Sequence, residues 1–204
     1  MTPTAPVWEV GWFMEYLAVL DLKACLLVGW SLGGMLLLEA ISRLTDPNPG
    51  GLILVGVAPV FTWRPDYPWG QPASVVRAMR RALGNNPAQV LTEFAQQCLA
   101  PGEAAFAAQA REVFAAPAAA GILAGGLDYL QQRDLRPLLG RLPAGAVVIQ
   151  GQADRIVDPA QGRFLQEQLP GARLHLLPAA GHLPFLTQAA AFNGILETCL
   201  NTAS

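Results

Sequence analysis

Four apolar runs punctuate the chain at strand length, Ala24–Val28, Gly51–Val57, Ala146–Gln150 and Ala172–Leu177, and helix-forming sequence separates them. Gly51–Val57 is almost unbroken, as expected of a strand buried on both faces. Other segments carry apolar residues at helical spacing instead. In Val10–Leu20, Trp12, Tyr16 and Leu20 repeat every four residues with Phe13 and Leu17 beside them, which predicts an amphipathic helix whose aromatic stripe faces the core. A second helical run, Met35–Leu44, follows the first strand, and Asp46-Pro47-Asn48-Pro49-Gly50 breaks the chain before the second. Strands separated by helices pair in parallel through right-handed crossovers, so the fold class is α/β: a mainly parallel sheet with helices on both faces. Ligands of such sheets gather at the C-terminal ends of the strands.

The texture changes between Ala58 and Leu142, where helix formers are broken by Pro and Gly. Helices are expected over Ala73–Leu83, over Pro87–Leu99 with Asn86 as N-cap, and over Glu103–Phe114, with a helix boundary in the Ala-rich stretch Ala115–Ala124. Residues 59–142 therefore read as a helical cap inserted into a core made of 1–58 and 143–204. The cap opens with Phe61, Trp63, Tyr67 and Trp69 among prolines, a composition that suits either a pocket mouth or the packing of an irregular loop.

Composition narrows the function classes. A chain of 204 residues that is 52% hydrophobic can bury one sizeable core, so one domain with a cap suffices. A net charge of −2 with 14% charged residues leaves no basic footprint for nucleic acid. The uncharged stretch between Lys23 and Glu39 is too short for a membrane span and is interrupted by glycines. Met1–Phe13 has no basic cluster and does not read as a secretory signal, which makes the cytoplasm the expected location. Cys25, Cys98 and Cys199 are odd in number, widely spaced and set in apolar surroundings, as packed thiols are, and form neither a disulfide framework nor a zinc site.

The richest chemistry lies where the first strand meets its helix. Gly29-Trp30-Ser31-Leu32-Gly33 is a G-x-S-x-G sequence in the context of a nucleophile elbow, a strained strand-to-helix turn that pushes a serine hydroxyl toward substrate. Small residues two before and two after Ser31 would let the backbone bend. A serine nucleophile needs a base and an acid to orient it. Of the two histidines, His175 alternates with Leu174 and Leu176 inside a strand and reads as structural. His182 lies in a Gly- and Pro-bounded loop after the last strand, where a base belongs. Asp154, just past the third strand, reaches the same sheet edge, whereas its rival Asp158 precedes Pro159 and reads as a helix N-cap. The order Ser, Asp, His, each after its own strand, is that of the α/β-hydrolase arrangement.

These residues resemble the α/β-hydrolases, and among them the pimeloyl-acyl-carrier-protein methyl ester carboxylesterases of biotin synthesis. The resemblance is carried by Gly29 to Gly34, by Gly125-Gly126-Leu127-Asp128-Tyr129-Leu130 with Asp134-Leu135-Arg136, by Gly151 to Asp154, and by Gly181-His182-Leu183-Pro184-Phe185. It implies hydrolysis of a methyl ester on an acyl chain held by acyl carrier protein, with no metal or organic cofactor. It also implies Ser31 as nucleophile, Asp154 as acid, His182 as base, Leu32 as an oxyanion N–H and Trp30 as a wall of the acyl pocket. The cap arginines Arg77, Arg80, Arg81 and Arg111 are the candidates for an acidic carrier. The first three share a helix face that suits either phosphopantetheine and acidic side chains or plain solvation.

The sequence departs from the family before the elbow, where about four strands and a His-Gly loop carrying a second oxyanion donor are expected. Here there is room for one helix and one strand; Gly11-Trp12 resembles part of such a loop, but the helical pattern claims it. Losing one oxyanion donor costs roughly a hundred- to a thousandfold in turnover. The first strand, apolar on both faces, would also stand at a sheet edge, an invitation to self-association. A late-starting coding region, a covering partner chain and a degenerate fragment all fit this pattern. The leading expectation is a serine carboxylesterase, with activity impaired if the N-terminal strands are missing. A lactonase, thioesterase or C–C hydrolase would reuse the same three residues, and a weakly active or non-catalytic binding module is the reading outside enzymes.

Overall fold

A computed structural model describes residues 8–45, 47–115 and 118–202, so Met1–Val7, Asp46 of the breaker and 116–117 of the Ala-rich stretch lie outside the described residues. The elements run in the order α1 (Val10–Ala18), β1 (Leu26–Trp30), α2 (Ser31–Ile41), β2 (Gly51–Val55), α3 (Ala73–Leu83), α4 (Pro87–Gln97), α5 (Ala107–Val113), α6 (Ala120–Gln132), β3 (Val147–Gly151), α7 (Pro159–Gln168), β4 (Arg173–Leu177), α8 (Pro184–Thr187) and α9 (Ala189–Thr202). Tight 3-10 turns occupy Leu22–Ala24, Pro101–Phe106 and Arg136–Arg141.

The four strands lie in the order β1-β2-β3-β4 and every pair is parallel. Register places Val28 opposite Ile53, Val55 opposite Ile149, and Ile149 opposite His175. Because strand side chains alternate between faces, β2 and β3 feed two cores at once. Leu52, Leu54 and Val148 pack with Leu37, Leu38 and Ile41 of α2 and Leu165 of α7. Ile53, Val55, Val147 and Ile149 pack on the other side with Phe192 and Cys199 of α9. The expectation of a parallel sheet covered on both faces therefore holds, and β1 stands at its edge with Val28 49% exposed.

Two local expectations shift. The first strand begins two residues later than its apolar run, because Leu22–Ala24 coil into a turn closed by the Cys25 N–H on Leu22 O; the strand then continues straight to the elbow. The helix expected over Glu103–Phe114 divides into a 3-10 turn and α5. Pro101 opens the turn, Glu103 N–H donates to Ala100 O three residues back, and the Glu103 carboxylate accepts the Ala100 N–H.

The aromatic stripe of α1 is a correction. Val10 and Leu17 are buried and Phe13 and Met14 pack partly against the core, while Trp12, Tyr16 and Leu20 are 47%, 58% and 37% exposed. Because α1 is apolar almost all round, spacing alone did not select the inward face; packing against α2 did, through the Val10–Phe13–Met14–Leu17 stripe.

Helices α3 to α6 lie between β2 and β3 in the chain, with α3 packed on α6 and α4 on α5. As the sequence suggests, Asn86 caps α4, accepting the Gln89 N–H. A polar cluster around a buried carboxylate pins this insertion to the core: Tyr129 O–H donates to Glu39 Oε2 of α2 at 2.6 Å, and Glu39, 2% exposed, also pairs with the partly exposed Arg43 and Arg133. Burial, reinforced by that hydrogen bond to Glu39, pushes the Tyr129 hydroxyl well above the usual phenol range. The aromatic loop is largely packing. Tyr67 is buried, meets Trp69 and Phe164 edge-on at 5.0 and 5.2 Å, and donates its hydroxyl to Gln161 Oε1, while Trp63 is half-exposed.

Candidate active site

At the junction of β1 and α2, strand gives way to helix with no intervening loop, and Ser31 adopts φ 51°. A non-glycine residue in the left-handed region is strained, and here the strain raises the hydroxyl above the sheet's C-terminal edge. The close approach behind it involves Gly29 and Gly34. A Cβ on Gly29 would lie 2.6 Å from Gly34 Cα, and one on Gly34 would lie 2.2 Å from Val57 Cγ2. Around Gly33 nothing lies within 4 Å of a Cβ position, so the second glycine of the pentapeptide is not the constrained one. Leu32 is the second residue of α2, and its N–H has no intrahelical acceptor.

His182 arrives from β4 through Ala179, itself at φ 58°, Ala180 and Gly181, and is fully buried. Its Nε2 lies 2.9 Å from Ser31 Oγ and its Nδ1 2.8 Å from Asp154 Oδ2. A ring protonated at Nδ1 donates to Asp154 and leaves Nε2 to accept from the serine hydroxyl. Asp154 follows β3 and is buried, and both its oxygens are engaged. Oδ1 accepts the N–H groups of Ile156 and Val157 at 2.8 and 3.0 Å, and Oδ2 accepts from Gln150 Nε2 at 3.1 Å as well as from His182. Four donors on one carboxylate fix its orientation.

Two neighbours were not singled out by sequence. Gln150 is fully buried within β3 and spends its amide on Asp154 Oδ2, Gly151 O and Val157 O. A polar residue in an otherwise apolar strand is the signal that could have found it. Gly56, just after β2, has φ 53°, and a Cβ there would come within 3.0 Å of His182 Nδ1.

Trp30 touches the site from the strand side. Its indole N–H donates to His182 O at 3.0 Å, and its ring lies 5.6 Å from that of His182, 5.2 Å from Phe185 and 5.9 Å from Phe114. The rival residues lie elsewhere. Asp158 caps α7 by accepting the Ala160 N–H, with Pro159 at the first helical position, and His175 is half-buried inside β4. Gly11 and Trp12 belong to α1 rather than to a loop. Arg77, Arg81 and Arg111 are exposed, but Arg80 is bound to Asp128 through two hydrogen bonds of 2.6 and 2.9 Å.

Among the described residues, no group of three or more His, Cys, Asp or Glu side chains could hold a metal ion, and no helix is long and apolar enough to cross a membrane. Cys25 and Cys98 are free thiols, and burial, with the Asp154 charge adding to it, pushes the Cys98 thiol up and keeps it protonated.

The chain is similar in sequence and fold to known proteins. A pimeloyl-[acyl-carrier protein] methyl ester esterase of Nitrosomonas europaea is 34% identical over 167 residues, 78% of this chain and 64% of its own length. Its counterpart in Chromobacterium violaceum is 30% identical over 204 residues, 98% of this chain and 80% of its own. The chain thus spans a little under two thirds of the first of these relatives. Among solved structures, an esterase from Exiguobacterium antarcticum superposes with TM-score 0.84 at 24% identity, covering 96% of this chain and 72% of that one. A bromoperoxidase from Bacillus anthracis superposes with TM-score 0.85 at 22% identity, covering 98% and 77%. The pattern of the α/β hydrolase family matches residues 5–195, nearly the whole chain, and the chain belongs to that family.

Proposed function

We propose that the chain is a serine carboxylesterase in which Ser31 is the nucleophile, His182 the general base and Asp154 the acid that orients it. The observation carrying this reading is the continuous row from Ser31 Oγ to His182 Nε2 (2.9 Å) and from His182 Nδ1 to Asp154 Oδ2 (2.8 Å). As Ser31 Oγ attacks the ester carbonyl, its proton passes to Nε2, and Asp154 offsets the charge of the imidazolium. The Leu32 N–H, at the positive end of α2, stabilises the oxyanion. His182 then protonates the departing alcohol, and a water deprotonated by the same nitrogen releases the acid. Trp30, with Phe114 and Phe185 around it, forms an aromatic wall suited to an acyl chain.

The relatives' names favour an acyl chain carried on acyl carrier protein, with a pimeloyl methyl ester as the first substrate to try. The exposed Arg77, Arg81 and Arg111 offer positive charge for such an acidic carrier, with Arg80 held back by Asp128. The apolar edge of β1 offers a surface for self-association, supported by the exposure of Val28. Hydrolysis of a short p-nitrophenyl ester tests the chemistry: turnover in the parent and none above background in Ser31→Ala is expected, and equal rates in the two would reject it. A binding module is the competing reading, favoured by the helical conformation of Gly11 and Trp12, where a loop could have carried a second oxyanion donor. A fluorophosphonate probe separates them, since only an assembled nucleophile is labelled at Ser31.

A further inference from the structure

We infer that Glu103, in the helical insertion, is a positioning residue for His182: its buried carboxylate fixes the loop that presents the imidazole to Ser31. The inference deepens the esterase reading and rests on it for its catalytic consequence. Glu103 is 6% exposed, and its Oε2 accepts two backbone N–H groups, from Ala100 at 2.8 Å and from Gly181 at 3.1 Å. Gly181 directly precedes His182. On the same short segment, Cys98 O accepts the N–H of His182 itself at 2.7 Å, and Leu99 O receives Arg155 Nη2, the residue after Asp154, at 3.4 Å. Residues Cys98 to Glu103 therefore brace the loops of both the base and the acid from outside the sheet.

The fit is close enough to constrain sequence on both sides. A Cβ on Gly181 would lie 2.4 Å from Cys98 O, 2.7 Å from Ala100 N and 2.8 Å from Glu103 Oε2. The second carboxylate oxygen, Oε1, is buried with no hydrogen-bond partner among the described residues. Leaving such an atom unpaired carries a desolvation penalty. Capping alone does not call for a burial of that kind, because an N-terminal glutamate caps equally well in solvent. The carboxylate is drawn inward by the Gly181 N–H, which sits beside the reacting group. Displacing a catalytic group by about 1 Å costs on the order of a hundredfold in rate, so a brace on this loop has kinetic consequences out of proportion to its two hydrogen bonds.

Two variants of the full chain separate reach from charge. Glu103→Gln keeps an acceptor at the same distance, whereas Glu103→Asp keeps the charge and withdraws it by one methylene. For Glu103→Asp, kcat on a p-nitrophenyl ester is expected to fall about tenfold with KM within twofold, a fraction of the loss from full misplacement. Glu103→Gln is expected to stay within about threefold of the parent, since both hydrogen bonds survive. The second readout needs no activity. The chain has two histidines, so the ring signals of His182 are identified in the NMR spectrum by comparison with His175→Gln. They should shift or broaden in Glu103→Asp and stay in place in Glu103→Gln. An Asp variant matching the parent in ring signals and, where there is turnover, in kcat, or a Gln variant as damaged as the Asp one, would overturn the inference. Should Ser31→Ala turn over ester as fast as the parent, the esterase reading fails by itself, and the His182 signals still decide the positioning role.

Discussion

The loops after β3 and β4 and the flank formed by α1 and β1 end in opposite conditions. In the first, His182 and Asp154 are buried, and each is held by several hydrogen bonds: four donors reach the Asp154 carboxylate, and the His182 backbone is tied at both its N–H and its C=O. In the second, Trp12, Tyr16, Val19 and Val28 are large apolar side chains left between 47% and 80% exposed. Apolar character drives burial only where a partner surface exists, and it does not fix geometry. Directional bonds do that, and they are concentrated where an imidazole has to meet a hydroxyl.

The contrast can be broken most directly at the acid. Replacing Asp154 by Asn keeps the shape but allows the amide to face His182 with its donor, stabilising the wrong tautomer, and turnover of a p-nitrophenyl ester should drop by about 10⁴. A loss below tenfold in a steady-state assay would mean that the bonded row does not carry the chemistry.

Next comes the elbow, where two glycines one residue apart should respond with opposite signs. Gly34→Val forces a side chain into Val57 and the strand behind it, and should lower stability by about 3 kcal/mol, the upper range for overpacking. Gly33→Ala meets open space on a helix and should raise it by about 0.5–1 kcal/mol. Denaturant midpoints compare the two, and equal shifts would show that the elbow's packing has been misassigned.

The smallest effect on stability belongs to the open flank. The double change Trp12→Glu, Tyr16→Lys removes exposed apolar surface and should alter folding stability by no more than about 0.5 kcal/mol. Sedimentation of parent and variant sharpens the point: if copies associate through this flank, only the parent sediments as the larger species. A large thermal destabilisation of the variant would instead place the stripe in a core.

Much of the site is legible because its residue types sit where topology must deliver them. Ser31, Asp154 and His182 each follow an apolar run, and parallel strands bring all such ends to one edge. Asp158 was separable from Asp154 on local grounds alone, since a following proline and helix explain it as a cap. Gln150, Gly56 and Glu103 were not legible. Glu103 depends on a partner distant in the sequence, Gly56 on a backbone angle, and Gln150 on a turn that folds Asp154 and Val157 back toward it; a lone polar residue in a strand, a glycine after one and a glutamate near a helix start each have commoner explanations.

By itself the sequence determined the parallel sheet, its helical crossovers and the identity of three side chains at its edge, because alternation, breakers and order along the chain are local properties written in residue types. Tertiary structure alone decided which face of α1 turns inward, which glycine behind Ser31 carries the close contact, and that Cys98 to Glu103 grip the loops of His182 and Asp154. Those outcomes follow from distances between segments far apart in the chain, set by packing and by directional hydrogen bonds once the core has closed.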